Sequence, residues 1–192
     1  CRQLQEWRAQ HPHLRLSMSI NISGRQLQGT GLDEALRQAV AAAGVDPKAV
    51  VLEITESVLM QQTDTVLERL QQLKGLGVRL AIDDFGTGYS SLSYLQRFPI
   101  DILKIAKPFV EEVSHGADRS ALARAIIGLG DTLRLDTIAE GIEMAEQRAS
   151  LIELGCTLGQ GHHFWAALPA PAISELLAAD SFPRLRLVED TA

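Results

Sequence analysis

The stretch Ala81-Ile82-Asp83-Asp84-Phe85-Gly86-Thr87-Gly88-Tyr89-Ser90-Ser91-Leu92 joins a short apolar run to two adjacent acids and a loop punctuated by glycines. Val78, Leu80 and Ile82 alternate with small or polar residues, which predicts a strand that the two acids end. Neighbouring carboxylates repel each other, and a hard divalent cation at the strand end would relieve that repulsion. A polar turn, with aspartate and glycine supplying the bend, explains the same residues equally well. This stretch alone leaves both interpretations open.

Length and composition indicate one globular domain. The chain has 192 residues, 46% of them hydrophobic, enough for a sizeable core but short of the roughly 250 residues of a complete eightfold α/β barrel. A net charge of −6 disfavours binding to a long nucleic acid, yet it allows a small anionic substrate reached through a metal. The two cysteines are too few for a disulfide framework, and no apolar run is long enough to span a membrane. We therefore expect a soluble cytoplasmic domain. The parent protein that contains it could still be anchored in a membrane.

Strand-like and helix-like segments alternate along the chain. The strand-like segments are 16–22, 50–55, 78–82, 102–105 and 137–139, with a last apolar stretch ending at Gly161, and the main helix-like segments are 32–43, 66–76, 121–133 and 145–154. This alternation predicts a parallel sheet with helices in its crossovers.

A polar residue stands at or near the C-terminal end of each successive strand. These residues are Asn21, Glu53, Asp83, Lys104, Glu140 and Gln160, separated by 32, 30, 21, 36 and 20 positions. Such gaps suit consecutive strand-helix units of roughly 30 residues, two of them with shortened helices. In an α/β barrel these strand ends converge on one mouth, where the active site lies. We predict a TIM-like (β/α) barrel with its active site at this mouth.

The donor atoms at this mouth are oxygens. They come from Asn21, Glu53, Asp83 and Asp84. Without cysteine or a well-placed histidine, such a set favours Mg²⁺ or Mn²⁺ over zinc, and Ca²⁺, which tolerates a looser site, is expected to inhibit. A pair of ions could support an in-line phosphoryl displacement, with Lys104 adding positive charge and Glu140 acting as general base. An enolisation site uses similar groups, so the residues alone do not exclude that reaction.

Six segments resemble the successive motifs of the EAL domain, the family of bacterial phosphodiesterases that open cyclic di-GMP to linear pGpG. The segments are Asn-Ile-Ser-Gly-Arg-Gln-Leu (21–27), Leu-Glu-Ile-Thr-Glu (52–56), Asp-Asp-Phe-Gly-Thr-Gly-Tyr-Ser-Ser-Leu (83–92), Leu-Lys-Ile (103–105), Ala-Glu-Gly-Ile-Glu (139–143) and Gln-Gly (160–161). They run nearly the full length of the chain, and the segment 83–92 is highly specific. The resemblance implies a TIM-like barrel, hydrolysis of this bacterial second messenger, and Mg²⁺ or Mn²⁺ as cofactor.

The resemblance also implies a role for each matching residue. The residues that would bind the metal ions are Asn21, Glu53, Asp83 and Asp84. The catalytic residues would be Lys104 and Glu140. The residues that would bind the substrate or support the site are Gln160, Glu56, Gly86, Thr87 and Gly88. Asp84 would help with a second ion, and Lys104 would hold the hydrolytic water or the phosphate. Glu56 would steady the loop that begins at Phe85 and link substrate binding to dimer contacts. The intact parent would then be a homodimer, with sensor or GGDEF-type domains attached upstream.

Three departures from the family pattern bear on activity. The Glu-Ala-Leu strand that names the family would lie upstream of Cys1, so the resemblance implies a barrel that is incomplete at the N-terminus, with about six of eight strand-helix units present. We expect residues 1–180 to be an N-terminally truncated EAL phosphodiesterase domain and 181–192 a C-terminal tail or linker. The family's Lys-Ile-Asp is here Lys104-Ile105-Ala106, which removes a carboxylate expected near the second metal. The family's Gln-Gly-Tyr-x-Phe and the basic-Pro segment after it are here Gln-Gly-His-His-Phe-Trp-Ala-Ala (160–167), which weakens the expected contacts with the guanine or phosphate. The alternative function is therefore a receptor that binds cyclic di-GMP without cleaving it.

Overall fold

The computed structural model describes residues 1–59, 63–88 and 95–179. The tail predicted at 181–192 and the motif residues 89–92 lie outside these ranges. In chain order the elements are α1 (Arg2–Gln10), β1 (Met18–Asn21), α2 (Gly24–Gln28), α3 (Leu32–Ala43), a 3-10 turn (Pro47–Ala49), β2 (Val50–Thr55), α4 (Glu56–Leu59), α5 (Thr63–Gly75), β3 (Arg79–Phe85), β4 (Ile102–Ile105), α6 (Lys107–Glu112), α7 (Ala121–Leu133), β5 (Asp136–Ala139), α8 (Ala145–Glu153), β6 (Leu158–Gly159) and α9 (Ala170–Ala178). The predicted strands 50–55 and 102–105 are confirmed residue for residue as β2 and β4.

The strands form one parallel sheet in the order β1-β2-β3-β4-β5-β6. Helices connect most neighbouring strands, as parallel pairing requires, which confirms the predicted α/β barrel architecture. Within the described ranges β1 pairs with β2 alone and β6 with β5 alone, so the sheet is a half-barrel with two edges. No helix in this described part of the chain has the length and apolar character needed to cross a membrane.

The two faces of the sheet carry different side chains because strand residues alternate. Leu52, Leu80 and Leu103 belong to the large core that the strands share with the helices. On the opposite face Val51, Ala81 and Ile102 form a second, small apolar cluster, against which Ile138 packs. We call these four residues the apolar floor. Two positions beyond each of them, on the same face, stand Glu53, Asp83, Lys104 and Glu140, so the floor lies directly beneath the predicted site.

Helix α7 shows why the crossover helices dock on the outer face. Its buried residues Ala123, Ile126, Ile127 and Gly130 recur at helical spacing and form one apolar stripe. Gly130 lies so close to Thr137 of β5 that a side chain at position 130 would collide with the threonine methyl group. The helix therefore packs tightly against the strand that leads to Glu140.

One strand boundary and one helix differ from the sequence-based expectation. The prediction that the acids end the third strand is wrong, because β3 continues through Asp83 and Asp84 to Phe85. Helix α9 was not predicted, since its short apolar stretch follows a segment rich in proline and gives little periodic signal. It docks on α1, where Trp7 Nε1 donates a hydrogen bond of 2.8 Å to Ser174 Oγ.

Candidate active site

Lys104 lies at the centre of the polar strand ends. Its side chain is 2% exposed, and Nζ lies 2.7 Å from Glu53 Oε2, 2.9 Å from Asp83 Oδ1 and 2.6 Å from Glu140 Oε1. Burial by itself lowers the pKa of the lysine, but the hydrogen bonds to these three carboxylates outweigh it and raise the pKa above its ordinary value. Lys104 is therefore charged, and it provides the partner that a buried glutamate such as Glu53 requires.

Glu140 is held from two sides. Its Oε1 accepts hydrogen bonds from Lys104 Nζ and from Gln160 Nε2, the latter at 2.6 Å. Burial raises the pKa of Glu140 to about 7, although the contact with Lys104 opposes this, and the neighbouring charge of Asp83 adds to the rise. Gln160, at the end of β6, thus fixes the orientation of a carboxyl group that can exchange a proton near neutral pH.

A β-bulge places the two aspartates. Ile82 pairs with Leu103 and Phe85 with Ile105, so Asp83 and Asp84 together face the single residue between the β4 partners, Lys104. Asp84 adopts a left-handed backbone with φ 54°, which is rare for a residue other than glycine and costs conformational energy. Its N–H donates to Asp83 Oδ1 at 3.2 Å. The bulge lets the strand continue through the pair of acids, of which Asp83 contacts Lys104 and Asp84 is exposed.

The apolar pattern of the sequence also contains a signal of the bulge. Ile82 and Phe85 are both buried in the same core cluster, although they are an odd number of positions apart. In a regular strand such residues point to opposite faces, so one extra residue must lie between them.

Asn21 stands at the end of β1, in register with Glu53 of β2. The next residue, Ile22, donates its N–H to the Glu53 carbonyl at 2.8 Å and continues the pairing beyond the strand. Ser23 and Gln26 then form a capping box that starts α2. These contacts hold Asn21 beside Glu53 at the same mouth.

Glu56 anchors the loop that follows β3. Its side chain is buried, and Oε2 accepts hydrogen bonds from the N–H groups of Gly86 at 2.8 Å and Gly88 at 3.2 Å. A Cβ atom at position 88 would lie 2.9 Å from Glu56 Oε1, so only glycine allows this approach. Thr87 Oγ1 donates to the carbonyl of Asp84 at 2.8 Å, which joins the loop to the bulge.

The donor set fits a divalent cation by its chemistry. Within residues 1–59, 63–88 and 95–179 no group of three or more His, Cys, Asp or Glu side chains is placed to hold a metal ion. Three carboxylates nevertheless share the single ammonium of Lys104, so negative charge is in excess, and the raised pKa of Glu140 reflects that excess together with burial. All the donors are oxygens, which suit Mg²⁺ and Mn²⁺.

Comparison with known proteins identifies the family to which the chain belongs. The family model of the EAL domain matches residues 1–167. The chain therefore belongs to the EAL domain family, and the resemblance inferred from the motifs is confirmed.

The chain is 41% identical over 179 residues to the bifunctional diguanylate cyclase/cyclic di-GMP phosphodiesterase MucR of Pseudomonas aeruginosa, covering 93% of this chain and 26% of MucR. It thus spans about a quarter of the length of the curated relatives it matches. The structure of the PaMucR phosphodiesterase in complex with c-di-GMP superposes with a TM-score of 0.85 at 40% identity, covering 90% of this chain and 70% of that one. Klebsiella pneumoniae BlrP1, solved with c-di-GMP and manganese, superposes with a TM-score of 0.75 at 30% identity, covering 83% of this chain and 41% of that one. BlrP1 has also been solved with calcium and c-di-GMP.

Proposed function

We propose that this chain is the catalytic domain of a metal-dependent phosphodiesterase that hydrolyses cyclic di-GMP to linear pGpG. The observation that carries the proposal is the cluster of Glu53, Asp83 and Glu140 around Lys104, at the C-terminal strand ends of an EAL-family sheet. The c-di-GMP complexes of MucR and BlrP1 support the choice of substrate.

Four residues would hold the metal ions. They are Asn21, Glu53, Asp83 and Asp84. The bulge supports this assignment, because it brings two adjacent carboxylates to one strand end opposite Lys104. A divalent ion bound there would lower the pKa of its bound water and would compensate negative charge on the phosphate. We propose two ions of Mg²⁺ or Mn²⁺, and inhibition by Ca²⁺ because its longer and looser coordination misplaces the reacting groups.

The protein's own groups would carry the remaining chemistry. Glu140 accepts the proton of the attacking water, and Gln160 keeps its carboxyl group turned toward Lys104. Lys104 adds fixed positive charge beside the phosphate and needs no reorganisation, since three carboxylates already hold it. Glu56 fixes the loop of Gly86, Thr87 and Gly88 at the rim, where the substrate would bind.

An apolar groove supports the proposal of a homodimer. It lies between α6, α7 and the Glu56 loop, has a volume of about 550 Å³, and is lined mainly by Phe85, Phe109, Leu122, Ile126 and Leu129. Leu122 is 60% exposed, the highest value among the large apolar side chains of the described residues. In a twofold pairing the same groove of each copy would cover the other, next to the loop that Glu56 anchors.

The setting of the domain is part of the proposal. The larger relatives, such as MucR with its two activities, support further signalling domains beside this one in the parent protein. Both cysteines, Cys1 and Cys156, are free thiols, which supports a reducing cytoplasm.

The decisive experiment is hydrolysis of cyclic di-GMP, with separation of the products, by the protein with its natural flanking sequence. We expect pGpG in Mg²⁺ or Mn²⁺, little or none in Ca²⁺, and at least a 100-fold loss of turnover in Glu53→Ala, because the variant removes a ligand and leaves Lys104 one carboxylate short. Glu68→Ala, an exposed position on α5, is the matched control and should retain full activity.

The receptor hypothesis makes the opposite prediction. Binding of cyclic di-GMP without pGpG in any of the three metals would reject hydrolysis and establish a receptor. Full activity of Glu53→Ala would reject the proposed metal site.

A further inference from the structure

A second lysine contacts the segment that carries Glu140. Gly141 follows Glu140 directly and has a left-handed backbone with φ 69°. A Cβ atom at position 141 would lie 2.6 Å from Cγ, 2.8 Å from Cδ and 2.9 Å from Cβ of Lys107. The aliphatic chain of Lys107 therefore occupies the space that any side chain at 141 would need.

The far end of the Lys107 side chain is also held. Its Nζ lies 2.6 Å from Glu143 Oε1 and 3.6 Å from Glu111 Oε1. The hydrogen bond between Lys107 and Glu143 raises the pKa of the lysine and lowers that of the glutamate. Lys107 thus reaches across residues 141–143, from the start of α6 to the loop between β5 and α8.

The backbone of this loop is also held by hydrogen bonds to the segment after β6 and to helix α8. Ile142 donates its N–H to the Gln160 carbonyl at 3.1 Å and accepts from His163 N–H at 2.9 Å. Gln147 Oε1 accepts from the N–H groups of Glu143 at 2.8 Å and Met144 at 3.0 Å. The loop is therefore fixed between β6 and α8 on one side and Lys107 on the other.

We propose that Lys107 is a positioning residue for Glu140, acting through van der Waals contact of its aliphatic chain with Gly141. The inference rests on the proposed function for its catalytic consequence. Two lysines three residues apart at the junction of β4 and α6 hold the same segment, Lys104 by the Glu140 carboxylate and Lys107 by the backbone after it.

The aliphatic chain, rather than the ammonium, is the important part. Lys107 and Glu143 are 47% and 48% exposed, and ion pairs with such exposure contribute little. Three carbon atoms of the lysine side chain, by contrast, fill the space beside Gly141 where a Cβ atom would lie. Lys107→Met keeps most of that contact and removes the charge, whereas Lys107→Ala removes both.

The first measurement is steady-state kinetics of pGpG formation. We expect Lys107→Ala to lower kcat roughly 10- to 100-fold, the cost of a misplacement of about 1 Å, with KM within about threefold of the wild-type value. Lys107→Met should keep kcat within about threefold. The control is Arg119→Ala, which should behave as wild type. It removes an exposed ion pair with Glu112, the last residue of α6, the helix that begins at Lys107.

Two kinetic results would overturn the proposal. Wild-type kcat in Lys107→Ala would show that Glu140 does not depend on Lys107. A rise in KM shared by Lys107→Met and Lys107→Ala would show that the ammonium binds the substrate, which is a different role.

The second measurement does not need activity. Hydrogen exchange of the peptide covering residues 139–144 should be at least tenfold faster in Lys107→Ala than in wild type or Lys107→Met, at unchanged exchange elsewhere. Equal exchange in all three proteins would reject the contact as a restraint. Absence of turnover in the wild type would reject the proposed function alone, since the exchange experiment would still test the role of Lys107.

Discussion

Lys104 shows how one buried cation organises several acids. Its side chain is 2% exposed, and its ammonium contacts one carboxylate from β2, one from β3 and one from Glu140, the residue that follows β5. Removing one member of such a cluster leaves the others buried and uncompensated, which costs more than the intact contacts contribute. The residue therefore matters for folding as well as for the proposed chemistry.

We expect Lys104→Met to lower the free energy of unfolding of the metal-free protein by about 3 to 5 kcal/mol, measured by urea denaturation in the presence of a chelator. The methionine fills a similar volume, so lost charge rather than a cavity accounts for the change. Lys48→Met, at an exposed position, should stay within about 0.5 kcal/mol of wild type. Equal stability of Lys104→Met and wild type would mean that the carboxylates are protonated or hydrated without the lysine.

The sequence could predict the members of the site but not their contacts. Polar residues at successive strand ends indicate one mouth, because parallel strands of a barrel share a direction. Spacing along the chain does not tell which carboxylates share the ammonium, since that depends on the stagger between strands: Asn21 is level with Glu53, while Thr55 is level with Asp83. The role of Lys107 has no periodic signal at all, because it depends on the backbone conformation of Gly141.

At the scale of elements, α6 gives a structural meaning to Ala106. The alanine is the N-cap of this helix, is fully buried, and offers no side-chain acceptor to the first turn. An aspartate at this position could accept a hydrogen bond from the N–H of Phe109 but not from the residue before it, because Pro108 has no N–H. The departure from the family's Lys-Ile-Asp therefore has two separable consequences, one for the helix and one for the site.

We expect Ala106→Asp to lower the free energy of unfolding of the metal-free protein, because it places a carboxylate at a fully buried position, and to increase turnover of cyclic di-GMP with little change in its binding. Ala106→Ser is the matched variant, because serine caps a helix but is a poor ligand for Mg²⁺. Urea denaturation and kinetics on both variants separate the effects. Equal turnover in all three proteins would make position 106 irrelevant to catalysis, and an unchanged or higher stability of Ala106→Asp would show that capping outweighs the cost of burying the carboxylate.

For the whole molecule, the groove beside α7 and the site at the mouth are joined by one buried side chain. Glu56 lines the groove and binds the loop of Gly86 and Gly88, three residues beyond Glu53 in the chain. A partner that covers the groove would therefore contact the segment that positions the rim of the site. This arrangement favours a dimer whose formation affects activity.

We expect Leu122→Glu to shift the protein toward the monomer, because it places a charge in the centre of an apolar interface. Light scattering coupled to size-exclusion chromatography measures the change, and Glu153→Lys, on α8 away from the groove, serves as the control for altered surface charge. An unchanged mass for Leu122→Glu, or a wild-type protein that is monomeric at all concentrations tested, would contradict the proposed dimer.

The apolar floor restricts how this domain can change its length. Val51, Ala81, Ile102 and Ile138 each precede a charged residue of the cluster by two positions. Deleting or inserting one residue between the members of any such pair would turn a carboxylate or an ammonium into the helix layer. Length changes are therefore tolerated only in the crossovers, where the gaps between successive site residues already range from 20 to 36 positions. Insertions and deletions among related chains should accumulate in helices and loops, and the strand segments should align without gaps.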